Sequence, residues 1–307
     1  MRWYLKSAGF KVLSTVPGGA RLYAFTQQHI THSTHGNAPR VDQKINVGLD
    51  YWNWLKAHGR ADRIRGGTIL DFGAGWHPTI PLLFYSLGVS CQALLDLSPL
   101  ITARQIAETA RIFRERVSAP GWSASAELKR LPDIPRNLDV GVTKLLDRWG
   151  MSYHTPYAPE SGALRGAADA VFCTQVLLHI PRAALGLCFQ MLLDCLKPGG
   201  LILGTVHLMD LYSQIDRRIT PYNHLKFSPE FWEHWVNTPM MPFNRLKAHD
   251  YLELLTGAGF RILHQEINPP VADDYAQLDQ VKVHPCFSRY SREELVAKHL
   301  FFVAERP

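Results

Sequence analysis

Residues 69–78 read Ile-Leu-Asp-Phe-Gly-Ala-Gly-Trp-His-Pro. An apolar run ends in an acid, Asp71. Phe72 follows, then Gly73, Ala74 and Gly75, and a helical pattern starts at Pro78. Glycine lets a backbone pass close to a ligand and take conformations barred to other residues. The first N–H groups of a helix have no partner within it. A strand, a glycine turn and a helix in that order therefore suit a ligand-binding bend. A dinucleotide fingerprint would require glycine at position 78, where this chain has proline. An acid two residues before the first glycine would also repel a pyrophosphate. Asp71 suits a ligand with a cation to be held, such as the amino group of an amino acid. A second apolar run ends in Asp96, 25 residues further on, a strand–helix–strand spacing. A carboxylate there can accept hydrogen bonds from both hydroxyls of a ribose.

Proton transfer near neutral pH is the province of histidine. His179, His207 and His224 are the candidates, with Asp210 as a carboxylate option. His207 closes an apolar strand pattern, which puts it at the edge of a sheet where ligands bind. His29, His32 and His35 are spaced by three, but no cysteine or acid joins them, so no metal site is expected. No carboxylate cluster suited to Mg²⁺ follows the fourth strand. Tyr222, Phe227, Phe231, Trp232, Trp235 and Phe243 form either a platform for an acceptor or a small core of their own.

These residues must be positioned by a regular framework. Short apolar runs at 68–72, 91–97, 168–173 and 201–206 read as strands. Helical patterns follow at about 78–87, 99–117 and 181–196, the last closed by Leu-Lys-Pro-Gly-Gly, with a shorter one at 138–149 and a strand at about 152–155. This alternation implies βαβ units and a parallel sheet. Residues 207–245 hold four prolines and many aromatics and break the rhythm. A helix at 247–257 and strands at 260–266 and 299–305 close the chain, with a loop expected over 267–290.

The chain has 307 residues, 46% hydrophobic and 20% charged, which excludes disordered, collagenous and disulfide-stapled classes. No apolar stretch is long enough to span a bilayer. Five scattered cysteines form no CxxC pair, as expected of reduced thiols in a cytoplasmic protein. Residues 1–65 hold ten Lys or Arg against three acids, a net +7, whereas the remainder is −1. This basic, helical, aromatic-rich segment could face an anionic acceptor or a membrane surface. Its charges are spread out and no RNA-binding motif accompanies them, so nucleic acid is not expected.

The motifs together resemble the class I S-adenosylmethionine-dependent methyltransferases. ILDFGAG is similar to their first motif, LLDLS to the second, ADAVFCTQVLLHIP to that of the fourth strand and LKPGGLILGTV to the fifth. More narrowly, the Trp-His-Pro after Gly75 and the stretch 213–228 resemble methyltransferases found with bacterial surface-polysaccharide biosynthesis. The resemblance implies an α/β fold: a Rossmann-like seven-stranded, mostly parallel sheet with helices on both faces. Residues 1–65 would be an N-terminal extension, and 66–307 the methyltransferase domain with an insertion at about 207–245. It implies S-adenosyl-L-methionine as cofactor. Asp71, Phe72, Gly73, Ala74 and Gly75 would hold the methionine portion and Asp96 the ribose. Leu97, Ser98, Tyr157 and Ala158 would lie by the adenine, and Thr174, Gln175 and Val176 under the sulfonium. His77 departs from the family's third glycine, Ala158 from an acid for the adenine amino group, and Leu178 from an acid before His179. The expected reaction is O-methylation of a sugar, glycan or other small polar acceptor. N- or C-methylation of a small natural-product-like molecule, and a catalytically silent cofactor-binding regulatory subunit, are the alternatives.

Overall fold

The computed structural model describes residues 2–15, 37–157, 162, 164–238 and 241–307. The chain forms two compact units. The first takes Met1–Ser33, Gln175–Gln190 and Gly204–Ala304; the second takes Thr34–Thr174, Met191–Leu203 and Glu305–Pro307. In chain order the elements begin with helices α1 (Trp3–Thr15), α2 (Ala38–Ala57) and α3 (Ala61–Arg65). Alternation follows: β1 (Thr68–Phe72), α4 (Thr79–Ser86), β2 (Cys91–Leu95), α5 (Ala103–Val117), α6 (Val142–Asp147), β3 (Met151–His154), β4 (Ala168–Thr174), α7 (Arg182–Cys195) and β5 (Leu196–His207). The tail holds α8 (Ala248–Gly257), β6 (Arg261–Ile267), α9 (Ala272–Asp279), α10 (Arg292–Val296) and β7 (His299–Glu305). The strands form one seven-stranded sheet in the order β3-β2-β1-β4-β5-β7-β6. β1 pairs in parallel with both β2 and β4, and β2 with β3.

In the second unit the central strands are mainly apolar, as parallel strands covered on both faces are, with Asp71, Gln92 and Asp169 as buried exceptions. Ile69, Leu70, Leu94, Leu95, Val171 and Phe172 are at most 1% exposed. Helix α2 starts at Asn37, whose side chain accepts the Arg40 N–H at 3.0 Å, with Pro39 in the first turn. It packs on α4: a Cβ on Gly48 would stand 2.6 Å from Leu83 Cδ2, so only glycine permits this approach. Its Tyr51, Trp52 and Leu55 are fully enclosed. Thr102 and Gln105 form a capping box that sets the start of α5. That cap explains why α5 begins four residues after the helix expected from Pro99.

Much of the basic charge of residues 1–65 is spent inside the second unit. Lys56 pairs with Glu127, Arg60 with Glu305, Arg63 with Asp169 and Arg65 with Asp62.

In the first unit, α1 is anchored by Trp3, whose N–H donates to Asp216 Oδ2 at 3.0 Å and whose ring packs on Tyr212 and Phe227. Residues 207–245 hold short helical turns at Leu211–Gln214, Asn223–Lys226 and Pro229–Phe231 and a π-turn at Trp232–Val236. Two expectations are corrected. The 267–290 loop contains α9, because Leu278, Phe287, Leu295 and Val296 close a core with Tyr222 and Leu225 that gives the helix a buried face. Leu-Lys-Pro-Gly-Gly opens β5 rather than ending the helix: Gly199 N–H donates to Arg306 O and Arg306 N–H to Gly200 O, both at 2.8 Å, so the strand starts at Leu196. The same pairing runs β7 antiparallel to β5. Among the described residues, no helix is long and apolar enough to cross a membrane. All five cysteines are free.

Candidate active site

The glycine bend lies in the second unit, at the ends of β1 and β2. Gly73 and Gly75 have φ of 77° and 67°, left-handed values that a side chain would strain. The N–H groups of Gly73 and Ala74 both donate to Leu95 O, at 2.9 and 3.1 Å, which folds the turn down on the end of β2. Among the described residues, a Cβ on Gly75 would meet only Gly73 O at 3.8 Å, so none of them closes the outer side of the bend. Asp96 fastens the far wall. Its Oδ2 accepts the Gly75 N–H at 2.9 Å and its Oδ1 the Ser98 N–H at 3.0 Å. Each oxygen keeps a further lone pair. Tyr153 Oη donates to Ser98 O and accepts the Leu100 N–H, which holds the segment after Asp96 in place. Leu97, 81% exposed, offers an apolar surface beside it.

Asp71 is 6% exposed, and among the described residues no donor reaches its carboxylate. Burial pushes it up to about 6; Lys44 on α2 opposes the shift and Asp96 adds to it. Lys44 donates to His77 O at 3.3 Å. Burial lowers its own pKa, while Asp71 and Asp96 raise it. His77 is enclosed, with Nδ1 3.1 Å from Thr109 Oγ1, so it packs the bend against α5.

Tyr157 is tied to the same strand end, its N–H donating to Asp96 O at 2.9 Å. Its hydroxyl lies 3.7 Å from Cys195 Sγ, in a cleft of about 480 Å³ shared with Met191 and Asp194. Thr174 ends β4 and meets Tyr51 Oη at 3.1 Å. Ala158 lies outside the described residues, as do His29, His32 and His35. Among the described residues no group of three or more His, Cys, Asp or Glu could hold a metal.

The remaining candidates belong to the first unit. Gln175 has φ of 57°, which costs a non-glycine residue of order 1 kcal/mol and is retained only where neighbours impose it. Its N–H donates to Thr205 O at 2.9 Å, and its Oε1 accepts the His207 N–H at 2.7 Å. Val176 follows and accepts the His179 N–H. His207 Nδ1 stands 2.7 Å from Nδ1 of His299, at the start of β7. Burial, then His299 and His179, bring His207 down to about 4, so its imidazole is neutral at ordinary pH. His179 Nδ1 is 2.6 Å from Pro242 O, and burial lowers its pKa too. His224 is fully buried. It stacks edge-on with Phe243, and burial together with Lys247 and Arg245 holds it far below its ordinary value. The structure thus joins Gln175 to His207 and encloses His224.

Two residues escaped the sequence reading, Lys44 and His299. Neither stands in a motif; only packing reveals them.

The model of a methyltransferase domain family matches residues 54–265, and the chain belongs to that family, a class of S-adenosylmethionine-dependent enzymes. No curated protein matches it. Among solved structures, a protein of Galdieria sulphuraria described as a sarcosine dimethylglycine methyltransferase is 13% identical, covering 84% of this chain and 86% of that one, with a TM-score of 0.45. A methyltransferase of Methanosarcina mazei is 14% identical over 79% and 93%, TM-score 0.42. Phosphoethanolamine N-methyltransferase 2 of Haemonchus contortus is 17% identical over 79% and 49%, TM-score 0.43.

Proposed function

We propose that the chain moves a methyl group from S-adenosylmethionine to an oxygen of a sugar or other small polar acceptor. The observation that carries the cofactor half is the enclosed Asp71 carboxylate, which has no donor among the described residues, beside a glycine bend that none of those residues closes. That pairing suits an α-ammonium group: an acid without a donor is costly to bury unless a cation completes it. Asp96, pinned by two backbone N–H groups, keeps acceptor capacity for the ribose hydroxyls. Leu97, Ser98 and Tyr157 are our candidates for the adenine side, and Thr174, Gln175 and Val176 for the sulfonium side.

When bound, S-adenosylmethionine supplies an electrophilic methyl group whose leaving group is a neutral thioether, so no acid is needed. The protein's own work is alignment and removal of one proton. Holding the reactants in line is worth up to about 7–11 kcal/mol in model systems. For a hydroxyl acceptor, His207 is our base. With His207 Nδ1 donating to His299, its Nε2 keeps a lone pair for the acceptor's proton. His224, wholly enclosed among cations, is a weaker candidate, and His179 is committed to Pro242.

The test is calorimetry with S-adenosylhomocysteine and NAD, followed by an acceptor screen with labelled methyl groups. Binding of NAD alone would end this reading. Turnover of an amine or carbon acceptor that persists in His207→Ala would favour N- or C-methylation. Cofactor binding without turnover on any acceptor would favour a silent regulatory subunit. A link to surface polysaccharide has only the motif resemblance behind it. A contact of the basic N-terminal residues with an anionic acceptor or membrane surface has less support, since four of the basic groups are engaged internally.

A further inference from the structure

The second unit treats its buried charges in two ways. Asp169, 5% exposed, is surrounded: Arg63 Nε at 3.2 Å, Lys197 Nζ at 2.6 Å and the Thr68 N–H at 3.0 Å all reach it. Asp71, equally enclosed, stands close enough to Lys44 for each to shift the other, yet among the described residues the two are not in ion-pair contact. Lys44 uses one proton on the carbonyl of His77, just past the glycine bend. A lysine kept only to neutralise Asp71 would gain by closing onto it, as Lys197 does on Asp169. Here a cation and an anion are instead held apart on either side of the same bend.

A ligand that carries an ammonium and a carboxylate on one carbon completes both groups at once. We infer that Lys44 is a cofactor-binding residue that takes the α-carboxylate of the methionine portion while Asp71 takes its α-ammonium. This inference rests on the cofactor reading above. It assigns a function to one residue of the basic N-terminal segment that sequence composition left as general surface charge. A pyrophosphate gains little from the same pair, because Asp71 and Asp96 oppose a polyanion.

The test is calorimetry on the full chain with two probes: S-adenosylhomocysteine, and methylthioadenosine, which lacks the amino-acid portion. Lys44→Gln is expected to weaken the first by about 10- to 100-fold, the usual worth of a hydrogen bond to a charged group, and to leave the second unchanged. Lys44→Arg is expected to keep the affinity for the first within about threefold, since it keeps the charge. An equal loss for both probes in Lys44→Gln would show that Lys44 only supports the bend and overturn the assignment. Undiminished binding of S-adenosylhomocysteine would overturn it as well. Failure of the unaltered protein to bind either probe would instead overturn the cofactor reading, and this inference with it.

Discussion

Asp71 and Asp210 are both buried acids, one in each unit, and burial pushes both up to about 6. Their surroundings differ. Asp210 is fully enclosed, accepts the Tyr212 N–H at 2.8 Å to cap a helical turn, and accepts Asn223 Nδ2 at 3.1 Å. Asp71 has no donor among the described residues and faces an open bend. A raised pKa therefore does not distinguish a binding group from a structural one; satisfied hydrogen bonds do. The histidines teach the same lesson. His207 keeps one ring nitrogen outside its contact with His299, whereas His224 is sealed among Phe243, Arg245 and Lys247.

The largest effect expected from breaking this contrast is on rate. His207→Ala should lower turnover of a hydroxyl acceptor by about 10²- to 10⁴-fold, the range for a lost general base, with cofactor affinity unchanged by calorimetry. A base must be unprotonated to act, so the rate of the unaltered enzyme at saturating cofactor should rise with pH through about 4 and then level off. An inflection at an ordinary histidine value would remove His207 from the role.

Next comes affinity. Asp71→Asn should weaken S-adenosylhomocysteine by about 10- to 100-fold, while Asp210→Asn should not alter it. If the two variants bind alike, the contrast between them has no functional content.

A pH series sharpens the same point. The ligand's ammonium needs the ionised carboxylate, and in the free protein Asp71 gains its proton as pH falls through about 6. Affinity should then decline towards about tenfold per pH unit below that value, and Asp71→Asn should flatten the slope. A slope unchanged by the substitution would assign the titration to another group.

The smallest effect is on stability. Asp210→Asn keeps a side-chain oxygen for the Tyr212 N–H but turns an amide N–H towards Asn223 Nδ2, so denaturant unfolding should show a loss of about 1–3 kcal/mol for the unmet buried donor. Asp71→Asn should leave stability equal or higher, because it removes a buried charge that has no donor among the described residues.

Short-range pattern carried much of the fold. β1, β4 and β7 lie within a residue of their apolar runs, since a strand covered on both faces is mostly apolar. The bend at Gly73 and Gly75 was equally open to reading, because backbone conformation there depends on the residue itself. The helix α9 was missed because its few apolar positions make no clear period, and a separate core completes it.

From the chain's own order came the strand–helix alternation, the acid near the end of β1, the glycines after it and the acid that follows β2. These are local properties, written in neighbouring residues. Only tertiary structure placed Lys44 beside Asp71, set His299 against His207 across 92 positions of sequence, and enclosed His224. Composition counts a lysine or a histidine alike wherever it stands; burial and the partner that packing brings to it decide its protonation and its work.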